Sequence, residues 1–426
     1  KNNPTQGYEE QTSHKHTWLF SYIKSFSDSK LYFFKKIFEK ERWKDNERSI
    51  IKNMREFNIS LVPSKINYNS TLKRTNGINI KSPSYGGTIT YDTTLTLDRV
   101  FSLSDYELFN DLTIDYTRTL SSNMSNLFYD NTTELKAKSL LDISTVPGIT
   151  NKFHESFTFM YIPEYLGIEN WLSPKFIYTP KYTWNRSMLT QGESSSASLV
   201  SQSTFTTTFN LSISNFLERF YTASTSSSSR SGRYSSRSNN NTSSSKPFEA
   251  KNIYMKSLLK LLHQISQKLS GFNVTLKKQV VNEYSNINTN FEPGYNFKLG
   301  LIKSPVPENE LNTIQANSSQ AFIYSNEYDD EFKISTTLQI SPKISITNLE
   351  YRKNRTRNYP SNSDSIETRV ESYYAQGNDG KSGLPLFNWS ININSLQSFW
   401  ILEDWFKNIM INHQFNGTKE ETFKNS

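Results

Sequence analysis

The stretch GGTITYDTTLTLDRV (residues 86–100) places Ile89, Tyr91, Leu95 and Leu97 on one parity and Thr88, Thr90, Asp92, Thr94, Thr96 and Asp98 on the other. A period of two is the mark of a strand with one apolar face and one wet face. The apolar face has to be covered, by the core of a soluble protein or by lipid, and that choice decides the kind of β protein encoded.

The pattern recurs along the chain. Phe57, Ile59 and Leu61 alternate with polar neighbours in EFNISLVP, and Ile66 and Tyr68 do so in KINYNSTLKR, with Pro63 between the two runs. Leu112, Ile114 and Tyr116 follow, then Phe157 and Phe159, Tyr182 and Trp184, and Phe205, Phe209, Leu211 and Ile213. Later come Phe272, Val274 and Leu276; Phe332, Ile334, Leu338 and Ile340; Trp389, Ile391 and Ile393; and Ile409 and Ile411. About a dozen or more strands are expected, and the fold class is all-β.

Composition narrows what covers them. Of 426 residues, 35% are hydrophobic, and the mean hydropathy is −0.65, yet 14% are aromatic. A soluble domain is usually about 45–50% apolar, while disordered chains are poor in aromatics. Strands with one aromatic face and one hydroxyl- or amide-rich face fit both facts. No apolar run approaches the ~18–20 residues of a membrane-spanning helix, which excludes a helical membrane protein but not a β-barrel, whose strands need only ~10 alternating residues. The chain opens KNNPTQGYEE, without an initiator Met or signal peptide, and is expected to be processed or part of a longer polypeptide. Cysteine is absent, which rules out a disulfide scaffold, a thiolate zinc site and a Cys nucleophile. It suits a protein that passes unfolded through an oxidising periplasm. The net charge of +8 permits contact with anionic lipid, cell-wall polymer or nucleic acid without choosing among them.

Connections are of two kinds. Residues 222–246, TASTSSSSRSGRYSSRSNNNTSSSK, lack periodicity and are expected to be a disordered loop. KLYFFKKIFEKERWK brings Phe34, Ile37 and Phe38 near one helical face, and YMKSLLKLLHQISQKL does the same with Leu258, Leu261, Leu262, Ile265 and Leu269. Such helices cover a core in a soluble protein or lie at the membrane interface beside a barrel. Trp171, Trp184, Trp389, Trp400 and Trp405 fall at expected strand ends, as in the aromatic girdles of membrane barrels.

Catalytic signals are weak. His14 and His16 in SHKH read as a solvated terminal segment, since no carboxylate or Cys completes a metal site. YDDEF (residues 328–332) lacks the spacing of a calcium loop and reads as a hairpin turn. No GxSxG, phosphate-binding Gly loop or HExxH occurs. Arg230, Arg233 and Arg237 amid serines look like an Arg/Ser segment of RNA-binding proteins, but no recognisable RNA-binding module accompanies them. No catalytic residue, metal site, cofactor or nucleic-acid partner is expected.

Several segments resemble, in order, those of one family. EFNISLVPSKINYNSTLKR (residues 56–74) resembles the DFN-x-x-LLP strand pair of the SprA/Sov family, the large outer-membrane translocon of the type IX secretion system. Residues 156–188 resemble the family's stretch ending in a strand that closes on Tyr-x-Trp. Residues 273–301 resemble its strand followed by a Leu-Pro-Gly-Phe element, with Glu292 in place of Leu before Pro293 and Gly294. EFKISTTLQISPKISITNLEYRKNRTRNY (residues 331–359) resembles a strand pair separated by a Pro-containing turn. PLFNWSININSL and WFKNIMINHQF resemble two late strands, LPNWRITY and SLTHGYRS, with Ser390 replacing the usual Arg after Trp389. Family members are several times longer, so the chain corresponds to a divergent C-terminal portion.

The resemblance implies part of a very large antiparallel transmembrane barrel in the bacterial outer membrane. It implies that folded secreted cargo crosses its lumen and leaves laterally to a PorV-like shuttle barrel, while a plug subunit closes the idle pore. Membrane lipid and lipopolysaccharide would be its surroundings, and gliding motility an associated process. On this reading residues 1–50 form an amphipathic interfacial segment, 51–221 and 251–426 carry barrel strands with one amphipathic helix near 252–269, and 222–250 form a disordered loop. The lipid-facing positions are then Phe57, Ile59, Leu61, Ile66, Tyr68, Ile89, Tyr91, Leu95, Leu97, Leu112, Ile114, Tyr116, Tyr182, Trp184, Phe205, Phe209, Leu211, Ile213, Ile391 and Ile393. The other readings are a porin-like or assembly barrel, and a secreted all-β adhesin or structural protein. Any of the three would be a protein without enzymatic activity.

Overall fold

The alternation read from residues 86–100 belongs to a strand of 21 residues, Ile89–Phe109. It lies in one large antiparallel sheet. The computed structural model describes residues 9–27, 30–32, 34–35, 57–81, 89–109, 111–124, 149–163, 171–187, 196–218, 253–316, 322–372, 388–394 and 409–425.

In chain order the strands are β1 (Glu9–Ser25), β2 (Lys30–Tyr32), β3 (Asn58–Ser60), β4 (Lys65–Lys81), β5 (Ile89–Phe109), β6 (Leu112–Asn123), β7 (Ile149–Tyr161), β8 (Leu172–Arg186) and β9 (Ser196–Leu211). After helices α1 (Ile213–Glu218) and α2 (Ile253–Ser266) come β10 (Phe272–Asn288), the one-turn helix α3 (Tyr295–Lys298) and a 3-10 turn (Glu308–Ile314). The chain continues through β11 (Ile323–Ser341), β12 (Ile344–Pro360), β13 (Ser365–Ser372), β14 (Asn388–Ile393), β15 (Ile411–Phe415) and β16 (Thr418–Asn425).

All sixteen join one sheet, whose main path runs β1-β4-β5-β6-β7-β8-β9-β10-β11-β12-β13-β16. Sequential neighbours pair as meanders, the simplest outcome when consecutive strands alternate with turns. Among the described residues β1 and β16 lie at opposite ends of the path and do not pair, so the sheet forms an open wall. Strand β12 forks: residues 352–358 pair with β13, and 344–350 pair with β14.

The register carries one face across the sheet. Residues directly opposite in antiparallel pairs share a face. The row Tyr22, Tyr68, Phe101, Arg118, Glu155, Tyr182, Ser201, Asn282, Asn326, Tyr359 is continuous through ten strands. Register shifts between Leu103 and Tyr106 and between Thr347 and Glu350 accompany left-handed residues at Asp105 (φ 54) and Asn348 (φ 54), the mark of β-bulges that bend a sheet.

Several sequence readings are corrected. Residues 9–25, expected to belong to an amphipathic interfacial segment, form the long strand β1. Lys30–Tyr32, expected at the start of a helix, is strand β2; residues 33 and 36–44 of that helix lie outside the described residues, as does the loop at 222–250. YDDEF is not a turn but the middle of β11, where Asp329 and Glu331 face one side and Asp330 the other. The turn is instead at Ser341–Ile344, with Pro342 inside it, as expected for the Pro-containing connection. Ile213 begins α1 rather than ending a strand. Phe57 and Leu61 flank the three-residue β3 without belonging to it, because pairing there is limited to β2 and to one contact with β5.

Candidate functional site

Two faces of different chemistry result from this register. On β9, Leu199, Phe205, Phe209 and Leu211 share the face of Tyr182 and Trp184, while Ser198, Gln202, Thr204, Thr206, Thr208 and Asn210 occupy the other. The second face continues with Thr275, Lys277 and Gln279 on β10 and with Thr113, Asp115, Thr117 and Thr119 on β6. It is rich in hydroxyls, amides and charges and wets without cost.

The first face carries an aromatic band. Phe101 and Tyr116 lie 6.2 Å apart, Tyr116 and Phe157 4.6 Å, Phe159 and Tyr178 6.2 Å, Tyr161 and Phe176 6.1 Å, and Phe176 and Phe209 6.3 Å. These are ordinary spacings for tilted and stacked pairs. Ile66, Tyr68, Leu95, Leu97, Leu112, Ile114, Tyr116, Tyr182, Trp184, Phe205, Phe209 and Leu211 all fall on this face. Ile89 and Tyr91 hold the register positions opposite Ile80 and Ile78. Ile391 and Ile393 lie opposite Ile346 and Ile344.

Part of that face is covered by the chain itself, which corrects the lipid-facing assignment for Tyr182 and Trp184. Residues 289–316, after β10, run back over the sheet as a strap containing α3 and the 3-10 turn. Phe297 is fully buried and meets Tyr182 and Tyr284 edge-on at 6.3 and 5.8 Å. Tyr182, Trp184, Leu199, Tyr284, Ile287, Phe297 and Ile314 form one core cluster. Burying a side chain of this size stabilises by roughly 1.5–3 kcal/mol. Leu95 and Leu97 are likewise buried, with Met124, and so is Tyr68.

The strap's backbone is held by sheet hydroxyls. Ser201 Oγ donates to Phe297 O at 2.6 Å, Tyr284 Oη to Lys303 O at 2.9 Å, Ser203 Oγ to Gly300 O at 3.4 Å, and Tyr178 Oη to Leu299 O. Carbonyls of a non-repetitive segment need such partners once covered. Lys298, buried, reaches Glu292 at 2.7 Å and buried Glu155 at 3.8 Å, and it lies over the rings of Phe153, Tyr182 and Tyr295. Glu155 also accepts from Tyr116 Oη at 2.8 Å. The hydrogen bond from Lys298 holds the Glu292 carboxyl below its ordinary range. Pro293 and Gly294 lead into α3, with Gly294 as its N-cap.

Sequence reasoning noticed the Pro-Gly element but missed the strap, since residues 289–316 show neither period. The 80% exposure of the Glu292 side chain leaves Lys298 as the residue that plugs into the sheet.

Away from the strap the aromatic face is exposed at some positions and covered at others, Tyr68, Leu95 and Leu97 being buried. Phe205 and Leu276 are more than 40% exposed. The lower row Leu112, Tyr161, Phe176, Thr207, Leu276, Phe332 then meets Lys353, Glu371 and Lys419 at β12, β13 and β16. There Lys353 pairs with Glu371 at 2.6 Å, Arg355 with Glu367 at 2.8 Å and Arg357 with Asp330 at 2.6 Å. Strand β14, on the other branch of the fork, presents Trp389 stacked on His413 at 4.8 Å, beside Ile391 and Ile393. Apolar and ionic levels thus separate along β12. Pro63 lies in the bend between β3 and β4.

Helix α2 leaves several large apolar side chains uncovered and buries only a narrow strip among the described residues. Leu258, Leu261, Leu262 and Ile265 are 41–54% exposed, whereas His263 and Ser266 are 5% and 2% exposed. The two buried groups bond within the helix end, Ser266 Oγ donating to His263 O at 2.9 Å and Gln267 Nε2 lying 3.0 Å from His263 Nε2, while Lys260, Gln264 and Gln267 are exposed like the leucines. Among the described residues no helix is long and apolar enough to cross a membrane. No group of three His, Asp or Glu residues there could hold a metal ion. In comparisons with known proteins no family model matches the chain, and no curated protein matches it.

Proposed function

We propose that the chain is part of the wall of an outer-membrane protein-conducting channel of the type IX secretion class, a conduit rather than an enzyme. The observation that carries the membrane reading is α2, where Leu258, Leu261, Leu262 and Ile265 are uncovered while His263 and Ser266 are buried. Water penalises that orientation and a bilayer interface favours it. The sheet supports the same reading: an aromatic band lies on one face and a hydroxyl-rich surface on the other, as in a barrel with lipid outside and water within.

Strand length adds to this. About 9–11 residues of a tilted strand cross a bilayer, but β10 and β12 have 17 each and β11 has 19. On β9 the strap covers the first half, and beyond it Phe205 is 44% exposed. A membrane level and a strapped level above or below it account for both halves. A portion of a wide barrel is favoured over a closed porin by the resemblance of the chain's segments to a family of much longer proteins. Cargo protein, a PorV-like shuttle and a plug subunit are the partners of this role. A lumen of Thr, Ser, Asn and Gln side chains would hold passing protein weakly.

Single cysteines test the reading cleanly, because the chain has none. In the full-length protein in native membranes, F205C and L276C should resist a membrane-impermeant maleimide, while T206C and K277C should react. Equal labelling of both faces, or recovery of the protein in the soluble fraction without detergent, overturns the proposal.

A further inference from the structure

Where the strap meets β10, β11 and β12, a cavity of about 790 Å³ opens. That volume lies within the usual range for small-molecule sites. Its floor is sheet: Lys278, Tyr284, Asn326, Tyr328, Arg357 and Tyr359 all lie on the aromatic face. Its roof is strap, with Lys303 and Glu308.

Three features define the ligand. The first is charge. Lys278, Lys303 and Arg357 converge, against Glu308 on the wall and Asp330 behind Arg357. Lys303 Nζ and the Arg357 guanidinium both lie over the Tyr328 ring, at 5.4 and 5.6 Å from its centre. Asp330 already meets Arg357 at 2.6 Å, and with Glu308 it leaves the three cations one positive charge in excess, which favours an anion.

The second is hydrogen-bonding capacity. Arg357 Nε and Asn326 Oδ1 are buried without a protein partner. One requires an acceptor and the other a donor, and leaving either unmade costs stability. Inorganic phosphate near neutral pH carries one or two hydroxyls beside its acceptor oxygens, and a sugar phosphate adds ring hydroxyls at a distance from the anion. Both atoms are closed to solvent, so a ligand with anionic oxygens and hydroxyls meets them when the lining side chains shift to admit it.

The third is the aromatic lining. Tyr284 and Tyr324 stack at 6.0 Å, and Tyr328 and Tyr359 meet edge to face at 6.0 Å. The electron-rich faces of such rings attract the weakly positive C–H bonds of a pyranose.

We infer that this cavity binds a phosphorylated sugar, with the phosphate between Lys303 and Arg357, a hydroxyl on Asn326 and the sugar ring against the tyrosines. A soluble sugar phosphate and the phosphorylated headgroup of a glycolipid present the same chemistry. The site does not depend on the transport reading, since its walls are formed whichever medium surrounds the sheet.

The test is calorimetric titration of the full-length protein in detergent with glucosamine 6-phosphate, glucosamine, inorganic phosphate and a phosphorylated glycolipid in mixed micelles. Glucosamine 6-phosphate should bind at least about tenfold more tightly than glucosamine or phosphate, the scale of one charge-assisted hydrogen bond. K303Q, on the exposed strap, and R357Q should each remove about that factor. A headgroup source is indicated if the glycolipid binds more tightly still and remains sensitive to K303Q. Equal binding of phosphate and sugar phosphate, no binding of either, glycolipid binding indifferent to both variants, or tighter binding of an acidic peptide to the same residues overturns the inference. K303Q keeps the test decisive should R357Q misfold.

Discussion

Lys298 Nζ stands 3.8 Å from Glu155 Oε2, and the two side chains are 4% and 3% exposed. One belongs to the strap and the other to β7, so this buried pair ties a non-repetitive segment to the sheet. Removing one partner of such a pair strands the other charge in a poorly solvated place.

K298M should therefore loosen the strap at a cost of about 3–5 kcal/mol. The readout is protease cleavage within residues 289–316 of the detergent-solubilised protein. The double variant K298M/E155Q should recover much of the loss, because neither charge is then left behind. Equal cleavage of K298M and wild type would show that the pair does not fasten the strap.

Acid should act on the same fastening through Glu292. Its folded carboxyl titrates below the ordinary value of 4.5 because Lys298 donates to it. The stabilisation is thus complete above that value and fades as pH falls through the lower, folded one. The protection factors of residues 297–303, exchange rates corrected for the intrinsic pH dependence, should fall below about pH 4.5. E292Q should exchange faster than wild type at neutral pH and lose this acid-dependent step.

Gly300 offers a test of close approach. Its φ is +67, and a Cβ there would lie 2.6 Å from Ser203 Cβ. G300A should destabilise the strap by at least about 1 kcal/mol, from backbone strain together with the clash. S203G should restore only the part due to the clash. Full restoration would mean that backbone conformation contributes nothing.

For α2, a nitroxide attached at L261C should be more accessible to oxygen than to a water-soluble nickel chelate in membranes, whereas one at K268C, in the turn after the helix, should show the reverse. A chelate-accessible residue 261 would remove the main support for the membrane reading.

The strands announced themselves where one parity was aromatic or aliphatic and the other hydroxylated, as at Leu95 and Leu97, Tyr182 and Trp184, or Phe209 and Leu211. Strand β1 was hidden because Trp18, Leu19, Phe20, Tyr22 and Ile23 do not alternate; at a sheet edge both faces carry exposed apolar residues. YDDEF looked like a turn because three acids in a row suggest solvent. The structure instead matches Asp329 with Lys277, Asp330 with Arg357 and Glu331 with Arg352, cross-strand partners from β10 and β12. Strap and cavity were illegible for the same reason: Lys303, Asn326, Arg357 and Tyr359 meet only once two strands and a return segment have assembled.

The fastening of the strap has a consequence for assembly. Its carbonyls are received by Ser201 and Ser203 on β9, Tyr178 on β8 and Tyr284 on β10. A slip of one residue between β9 and its neighbours would carry both serines to the far surface. The return segment would then find Gln202 and Thr204 instead, with no seat for Phe297. Docking is therefore a proofreading step: only a correctly threaded wall can be latched, and a misthreaded one stays ajar for proteases to find.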